Sequence, residues 1–126
     1  MLDNNQKEFA KGRDIKVRAY NFSLNILKFL ECFPKNYRGD ILGKQILRSG
    51  TSIGANIIEA QASSSKKEFK NFMNIALKSA NETKYWLCLL RDGNLGLDKT
   101  AIQNFLQEAV ELSKILATIQ ITLKKR

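Results

Sequence analysis

The chain has 126 residues, a formal charge of +9 from 21 Lys and Arg against 12 Asp and Glu, and no histidine. Its length fits one compact domain, and the lack of histidine excludes serine–histidine and cysteine–histidine catalytic pairs and histidine-ligated metal sites. With one proline and 44% hydrophobic residues, the composition favours an all-helical, non-enzymatic protein without cofactor or metal, and the charge favours a polyanionic partner.

The first predicted helix covers residues 13–32. Its apolar residues recur at alternating steps of four and three, which is the spacing of a stripe buried along one side of a helix. Phe33-Pro34 ends the helix, because the residue before a proline avoids the α conformation. The stripe consists of Ile15, Ala19, Phe22, Ile26, Phe29 and Phe33.

The second predicted helix covers residues 40–61, with Asp40 favouring the positive end of the helix dipole. Gly50 and Gly54 lie in its interior, where glycine is about 1 kcal/mol less favourable than alanine. This spacing predicts close approach by a neighbouring helix. The buried stripe includes small and polar residues: Leu42, Ile46, Ser49, Ile53, Asn56 and Ala60.

The third and fourth predicted helices cover residues 66–92 and 99–124. Ser65 and Glu68 have the spacing of a capping box, and Asp98 is placed to cap the fourth helix. The third stripe is Phe69, Met73, Ala76, Ala80, Thr83, Leu87 and Leu90; the fourth is Ile102, Phe105, Ala109, Leu112, Leu116, Ile119 and Leu123. Four amphipathic helices with short connections predict one domain over residues 1–126, an antiparallel up-down four-helix bundle.

The last two helices carry more apolar residues than one stripe requires. If these residues form a contiguous exposed patch, the patch marks an interface and the protein is a homo-oligomer. The alternative is that neighbouring helices of the same subunit cover them. The additional residues are Phe72, Ile75, Trp86 and Leu89 on the third helix, and Leu106, Val110, Ile115 and Ile121 on the fourth.

Four polar residues are candidates for a structural network that fixes helix register: Arg48, Asn56, Glu59 and Glu82. A di-metal site in a helical bundle uses Glu-x-x-His motifs, which this sequence lacks, so the two glutamates do not predict a metal centre. The alternative to a network is simple exposure to solvent.

Basic residues cluster near both termini, and they are candidates for contacts with nucleic-acid phosphates, which give salt-sensitive binding with little sequence preference. The candidates are Lys7, Lys11, Arg13, Lys16, Arg18, Lys124, Lys125 and Arg126. Lys66, Lys67 and Lys70 form a further basic group. The alternative for all of them is ordinary solubilising charge.

The sequence predicts a cytoplasmic protein that does not associate with membranes. Its first residues do not have the pattern of a secretory signal. No apolar run approaches the roughly 20 residues that span a bilayer. Cys32 and Cys88 are separated in sequence, so reduced thiols are the simplest interpretation.

Several segments together resemble one protein family: VRAY at residues 17–20, RSGTSIGANIIE at 48–59, SKKEF at 65–69 and IALKSANETKYWL at 75–87. They resemble the proteins encoded by intervening sequences in bacterial 23S rRNA genes, also called S23-like proteins. Gly50 departs from the pattern, in which alanine is more frequent. The resemblance implies an antiparallel four-helix bundle that assembles into a ring of five subunits.

S23-like proteins have no established activity, and the family name records only where the genes lie. The related accessory variability protein of diversity-generating retroelements is a basic pentameric barrel that binds nucleic acid and associates with a reverse transcriptase. Charge and resemblance together predict a non-enzymatic oligomeric bundle that binds RNA or DNA through basic surfaces. The alternative is a scaffold whose oligomer recruits a protein partner without nucleic acid.

Overall fold

The computed structural model describes the backbone of residues 4–125 and the side chains of residues 15–125. It contains α1 (Asn4–Phe29), a 3₁₀ turn (Leu30–Cys32), α2 (Tyr37–Gln61), α3 (Lys66–Asp92) and α4 (Lys99–Lys124). Across these described residues every regular element is helical, and the prediction of an all-α four-helix bundle is confirmed.

The ends of α1 differ from the prediction at both sides. The helix begins at Asn4 rather than near residue 13, since no proline interrupts the preceding residues. It gives way at Leu30 to the 3₁₀ turn. Phe33, before Pro34, has φ −69° and ψ 141°, an extended conformation. Proline therefore ends the helical segment as its steric effect on the preceding residue requires.

The start of α2 is set by Asn36 and not by Asp40. The side-chain oxygen of Asn36 accepts a hydrogen bond from the Gly39 amide at 3.0 Å, so the helix begins at Tyr37. Asparagine is among the best N-cap residues, which means that the sequence contained this signal. Asp40 lies in the first turn of the helix.

The predicted caps of α3 and α4 are present. Ser65 Oγ accepts from the Glu68 amide at 3.1 Å, while the Glu68 carboxylate accepts from the Ser64 hydroxyl, also at 3.1 Å, instead of closing a capping box on Ser65. Asp98 Oδ1 accepts from the Thr100 amide at 2.9 Å. Between the two helices, Asn94 at φ 56° has the left-handed conformation that turns the chain.

The core lies between the four helices. The contact between α2 and α3 is the most extensive, followed by that between α3 and α4, and α1 contacts α2 more than it contacts α4. Phe105 of α4 fills the α1 side of the core, with its ring centroid 5.8 Å from that of Phe22 and 5.0 Å from that of Phe29. The predicted stripe of α1 is buried at every position.

The buried side of α4 is rotated slightly from its predicted stripe. Leu106, Ser113 and Gln120 are buried, whereas Phe105 and Ile119 are only half-buried. Polar residues at the rotated positions have partners: Ser113 Oγ, for example, donates to the Val110 carbonyl at 2.8 Å. Within the residues described, no helix combines the length and the apolar character that crossing a membrane requires.

Candidate nucleic-acid interface

Two separate groups of lysines meet at one end of the bundle. Gln120 is buried, and its Nε2 donates to the Lys70 carbonyl at 3.1 Å, which holds the last turns of α4 beside the first turns of α3. The basic start of α3 and the basic end of α4 therefore share one surface. We call this surface the lysine end; it consists of Lys66, Lys67, Lys70, Lys124 and Lys125.

The lysine end is accessible and carries little opposing charge. Its lysines are exposed except Lys70, which is half-buried. Glu68 is the acidic residue within 66–70 and 120–125, and its carboxylate already accepts from the Ser64 hydroxyl. Flexible ammonium groups act as point charges toward phosphates and do not provide the planar, bidentate contacts of arginine. Such a surface suits electrostatic binding with little sequence preference.

The structure separates the candidate basic residues of α1. Lys16 is exposed. Arg18 contacts α4, where its Nε donates to Glu108 Oε2 at 3.1 Å and its Nη2 donates to Glu108 Oε1 at 2.6 Å. Glu111 lies 3.7 Å from the same guanidinium. Arg18 thus joins α1 to α4 in the folded chain, and we do not include it in the candidate interface.

The other basic candidates divide between the lysine end and the part of the chain outside the described residues. The side chains of Lys7, Lys11 and Arg13 lie outside the described residues, as does Arg126. Lys124 and Lys125 belong to the lysine end. The three lysines at the start of α3 form a separate group in the sequence, and the contact made by Gln120 places this segment beside the C-terminal one.

The four residues of the proposed polar network fall into different places. Arg48 Nη2 donates to Glu82 Oε2, and Trp86 Nε1 donates to the same oxygen at 2.8 Å. These hydrogen bonds, that from Arg48 above all, lower the pKa of Glu82 below its ordinary value. Arg48 also donates to Gln45 Oε1 at 2.7 Å. This group lies at the surface, since the side chains of Arg48 and Glu82 are 57% and 38% exposed.

Asn56 belongs to a second group and Glu59 to neither. Asn56 Nδ2 donates to Ser52 Oγ at 2.9 Å, and Ser52 Oγ is 2.9 Å from Ser79 Oγ on α3. Glu59 is exposed. The structure therefore brings Arg48 and Glu82 together but does not join them to Asn56 or Glu59 within one network.

A buried hydroxyl pair was not identified as a pair from sequence. Thr83 Oγ1 lies 3.0 Å from Ser49 Oγ across the α2–α3 contact and 2.7 Å from the Ser79 carbonyl. Ser49 and Thr83 are 1% and 0% exposed. Both residues are in the predicted buried stripes, so the available signal was a polar residue at a core position in each of two adjacent helices.

A groove of about 310 Å³ opens between α1 and α2. Its lining is almost entirely apolar, and Lys16 supplies the charge at its edge. The lining residues are Lys16, Val17, Tyr20, Ser23, Gly54, Ala55 and Ile58. In the part of the chain that the structure describes, three or more potential metal-ligating residues do not cluster anywhere. The groove is therefore suited to apolar contact.

Comparison with known proteins identifies the family. The sequence profile described as "23S rRNA-intervening sequence protein" matches residues 12–118. The chain belongs to this family. The match spans all four helices, and the family resemblance of the sequence motifs is thereby confirmed.

A solved structure agrees with this family assignment. It is a protein of unknown function from the S23 ribosomal protein family of Bacteroides thetaiotaomicron, with 37% sequence identity and a TM-score of 0.80. The alignment covers 87% of the present chain and 97% of the Bacteroides protein. No curated protein is significantly similar in sequence. Family membership thus establishes the fold, and the relative is itself of unknown function.

Proposed function

We propose that this S23-like protein is a non-enzymatic, cytoplasmic homo-oligomer, with five subunits as the family resemblance implies, that binds RNA or DNA through the lysine end. The observation that carries the proposal is the meeting of two basic segments on one accessible surface, through the hydrogen bond from Gln120 to Lys70. The overall charge of +9 supports it, since a basic protein attracts polyanions over a long range.

We propose further that the bundle is antiparallel and up-down. Ser49 is hydrogen bonded to Thr83, while Ser52, later in α2, is hydrogen bonded to Ser79, earlier in α3. Positions that advance along one helix thus pair with positions that recede along the other. For α3 and α4, the hydrogen bond from Gln120 near the end of α4 to Lys70 near the start of α3 supports the same arrangement.

The experiment measures the affinity of the full chain for a structured RNA and a duplex DNA by fluorescence anisotropy between about 50 and 200 mM salt. Lys66→Gln/Lys67→Gln/Lys124→Gln should weaken binding to both and lower the slope of log K against log salt by about three, or about one per lost phosphate contact. The matched control removes the same charge elsewhere, with Lys28→Gln/Lys35→Gln/Lys99→Gln.

The control lysines are exposed and lie in the last turn of α1, the link to α2 and the first turn of α4. The control should retain most of the affinity and of the salt slope. Equal losses in the two triple variants would contradict a localised interface. No binding at about 50 mM salt, where electrostatic contacts are strongest, would overturn the proposal. Capture of a protein after nuclease treatment would then favour the scaffold function.

A further inference from the structure

Gln120 fixes the relative level of the two lysine groups that form the lysine end. It donates to the Lys70 carbonyl at 3.1 Å. Lys66 precedes Lys70 by four residues, and Lys124 follows Gln120 by four residues, which in each case is about 6 Å of helix. In the antiparallel arrangement proposed above, these steps lead toward the same end of the bundle. Lys66 and Lys124 therefore lie at one level on two adjacent helices.

The lysine end is as wide as two helices lying side by side. The axes of packed helices are about 8–10 Å apart, and one helix with its side chains is about 10–12 Å across. Together they make a surface about 20 Å wide. The major groove of B-DNA is about 12 Å wide and the minor groove about 6 Å, so this surface does not enter either groove. It contacts the phosphates along the groove edges instead.

The lysine end offers no exposed aromatic ring on which a base could stack. Proteins that bind single strands without sequence preference combine basic grooves with aromatic side chains that stack on successive bases. Within residues 62–75 and 118–125, which the structure describes in full, the aromatic residues are Phe69 and Phe72. Both are half-buried and pack against the hydrophobic core. Binding at this surface therefore depends on charge and not on unpaired bases.

We propose that the ligand of the lysine end is a double helix, of RNA or DNA, and that the surface straddles one groove and contacts the phosphates of both strands. The inference rests on the proposed function and names its substrate class. One strand contacts the α3 group, which is Lys66, Lys67 and Lys70, and the other contacts the α4 group, which is Lys124 and Lys125.

The stiffness of the double helix favours it over a single strand. A duplex is stiff over about 150 base pairs, so it presents two backbones at a fixed separation before it binds. A single strand has to be ordered before it can reach both lysine groups, and this ordering opposes binding. Because contacts to phosphates carry no sequence information directly, the preference is for the double-helical form and not for a base sequence.

The first test measures the affinity of the full chain for a duplex DNA, a duplex RNA and a single-stranded oligothymidine of equal length, between about 50 and 200 mM salt. One duplex or both should bind on the order of tenfold more tightly than the single strand, and the tighter duplex identifies the source of the ligand. Contact by both lysine groups should give a slope of log K against log salt near about −4.5 for duplex DNA. Contact by the α3 group alone should give about −2 for the single strand.

The second test uses a duplex in which methylphosphonate linkages remove the charge from one strand. The charged strand should then take the larger α3 group, and the α4 group should face the neutral strand. Lys124→Gln/Lys125→Gln should therefore lower the salt slope by about two on the fully charged duplex and change it little on the half-neutral one. Circular dichroism should show that this variant is folded, because both side chains are exposed.

Two results would overturn the inference and leave the lysine end as a nucleic-acid site. One is a single strand that binds as tightly as both duplexes. The other is a half-neutral duplex that binds the wild-type chain within about twofold of the fully charged one, with the same salt slope. If none of the ligands binds at about 50 mM salt, it is the proposed function itself that fails.

Discussion

Helix α2 meets its two neighbours through different chemistry. Toward α1 and the 3₁₀ turn that follows it, α2 presents Gly50, which leaves room for Ile26, and Gly43, which leaves room for Leu30. Toward α3 it presents hydroxyl groups, with Ser49 and Ser52 hydrogen bonded to Thr83 and Ser79. The first contact depends on the absence of side chains, and the second depends on polar groups that must find partners when they are buried. One small-residue helix thus provides a steric contact on one side and a directional contact on the other.

The glycines of α2 differ in how much space surrounds them. A β-carbon at Gly50 would collide with the flexible end of the Ile26 side chain, which could move. At Gly54 the nearest atom would be Ala19 Cβ at 3.5 Å, an ordinary van der Waals distance. At Gly39, in the first turn, a β-carbon would collide with the Pro34 carbonyl, which belongs to the backbone. The requirement for glycine is therefore strongest near the start of α2.

The largest predicted effect is the difference in stability between alanine substitutions at Gly39 and at Gly54. Gly39→Ala should lower the free energy of unfolding by about 3 kcal/mol, at the upper end of typical overpacking, because a backbone oxygen has to move. Gly54→Ala is the matched control. It should raise stability by up to about 1 kcal/mol, because alanine favours the helix interior and its methyl group fits. Urea denaturation of both variants measures the difference.

An equal loss of stability in the two alanine variants would mean that the whole length of α2 is packed as tightly as its first turn. A gain for Gly39→Ala would mean that the link containing Pro34 adjusts easily. Either result would remove the distinction between a tight start of α2 and an ordinary contact at Gly54.

The hydrogen bond between Ser49 of α2 and Thr83 of α3 is tested by removing one of the two hydroxyl groups and then both. Thr83→Val keeps the shape of the side chain but leaves Ser49, which is 1% exposed, without its partner across the contact. A buried unsatisfied hydroxyl costs about 1–3 kcal/mol. The double variant Ser49→Ala/Thr83→Val should recover much of the loss, since replacing both partners by apolar groups can be nearly neutral.

The double-mutant cycle from urea denaturation measures the coupling between the two residues. Additive losses would show that the hydroxyl groups contribute independently and that the hydrogen bond between α2 and α3 is not the source of their effect. A coupling of 0.5 kcal/mol or more, within the usual range for residues in contact, supports a directional contact.

The two sides of α2 were not equally predictable from sequence. The spacing of Gly50 and Gly54 predicts close packing near Gly50, because a glycine in a helix interior is unfavourable unless a contact compensates for it. It could not show that Gly54 tolerates a methyl group, which depends on the position of Ala19. Ser49 and Thr83 stood in the predicted stripes of two helices, yet their pairing depends on the relative shift of α2 and α3, which periodicity does not contain.

Long-range contacts limited the prediction of the candidate site in the same way. Periodicity placed the helices, and the caps at Ser65 and Asp98 follow from local hydrogen bonding. Charge alone makes Arg18 a candidate for phosphate contact, whereas its pairing with Glu108 arises from the packing of α1 against α4. The meeting of the two lysine groups likewise depends on Gln120, a polar residue that lies outside the predicted stripe of α4 and is nevertheless buried.

The smallest predicted effect concerns Glu82 of α3, at the solvent-exposed edge of the α2–α3 contact. Its carboxylate accepts hydrogen bonds from Arg48 and Trp86. Because these bonds lower the pKa of Glu82 in the folded state, its contribution to stability is complete above the ordinary pKa of glutamate, about 4.3. The contribution is lost as the pH falls through the lower, folded value. Its size should stay below about 1 kcal/mol, since the pair is exposed to solvent.

Glu82→Gln should therefore unfold at lower urea concentration than the wild-type chain at pH 7, and the difference should shrink as the pH falls below about 4. Arg48 supplies the leading cause of the shift, so in an Arg48→Gln background the same substitution should show a smaller pH-dependent difference. A stability difference that is constant from pH 7 to pH 3 would mean that Glu82 acts through neutral hydrogen bonding, as glutamine can. The exposed part of the α2–α3 contact would then act through neutral hydrogen bonds, as the buried hydroxyl pair does.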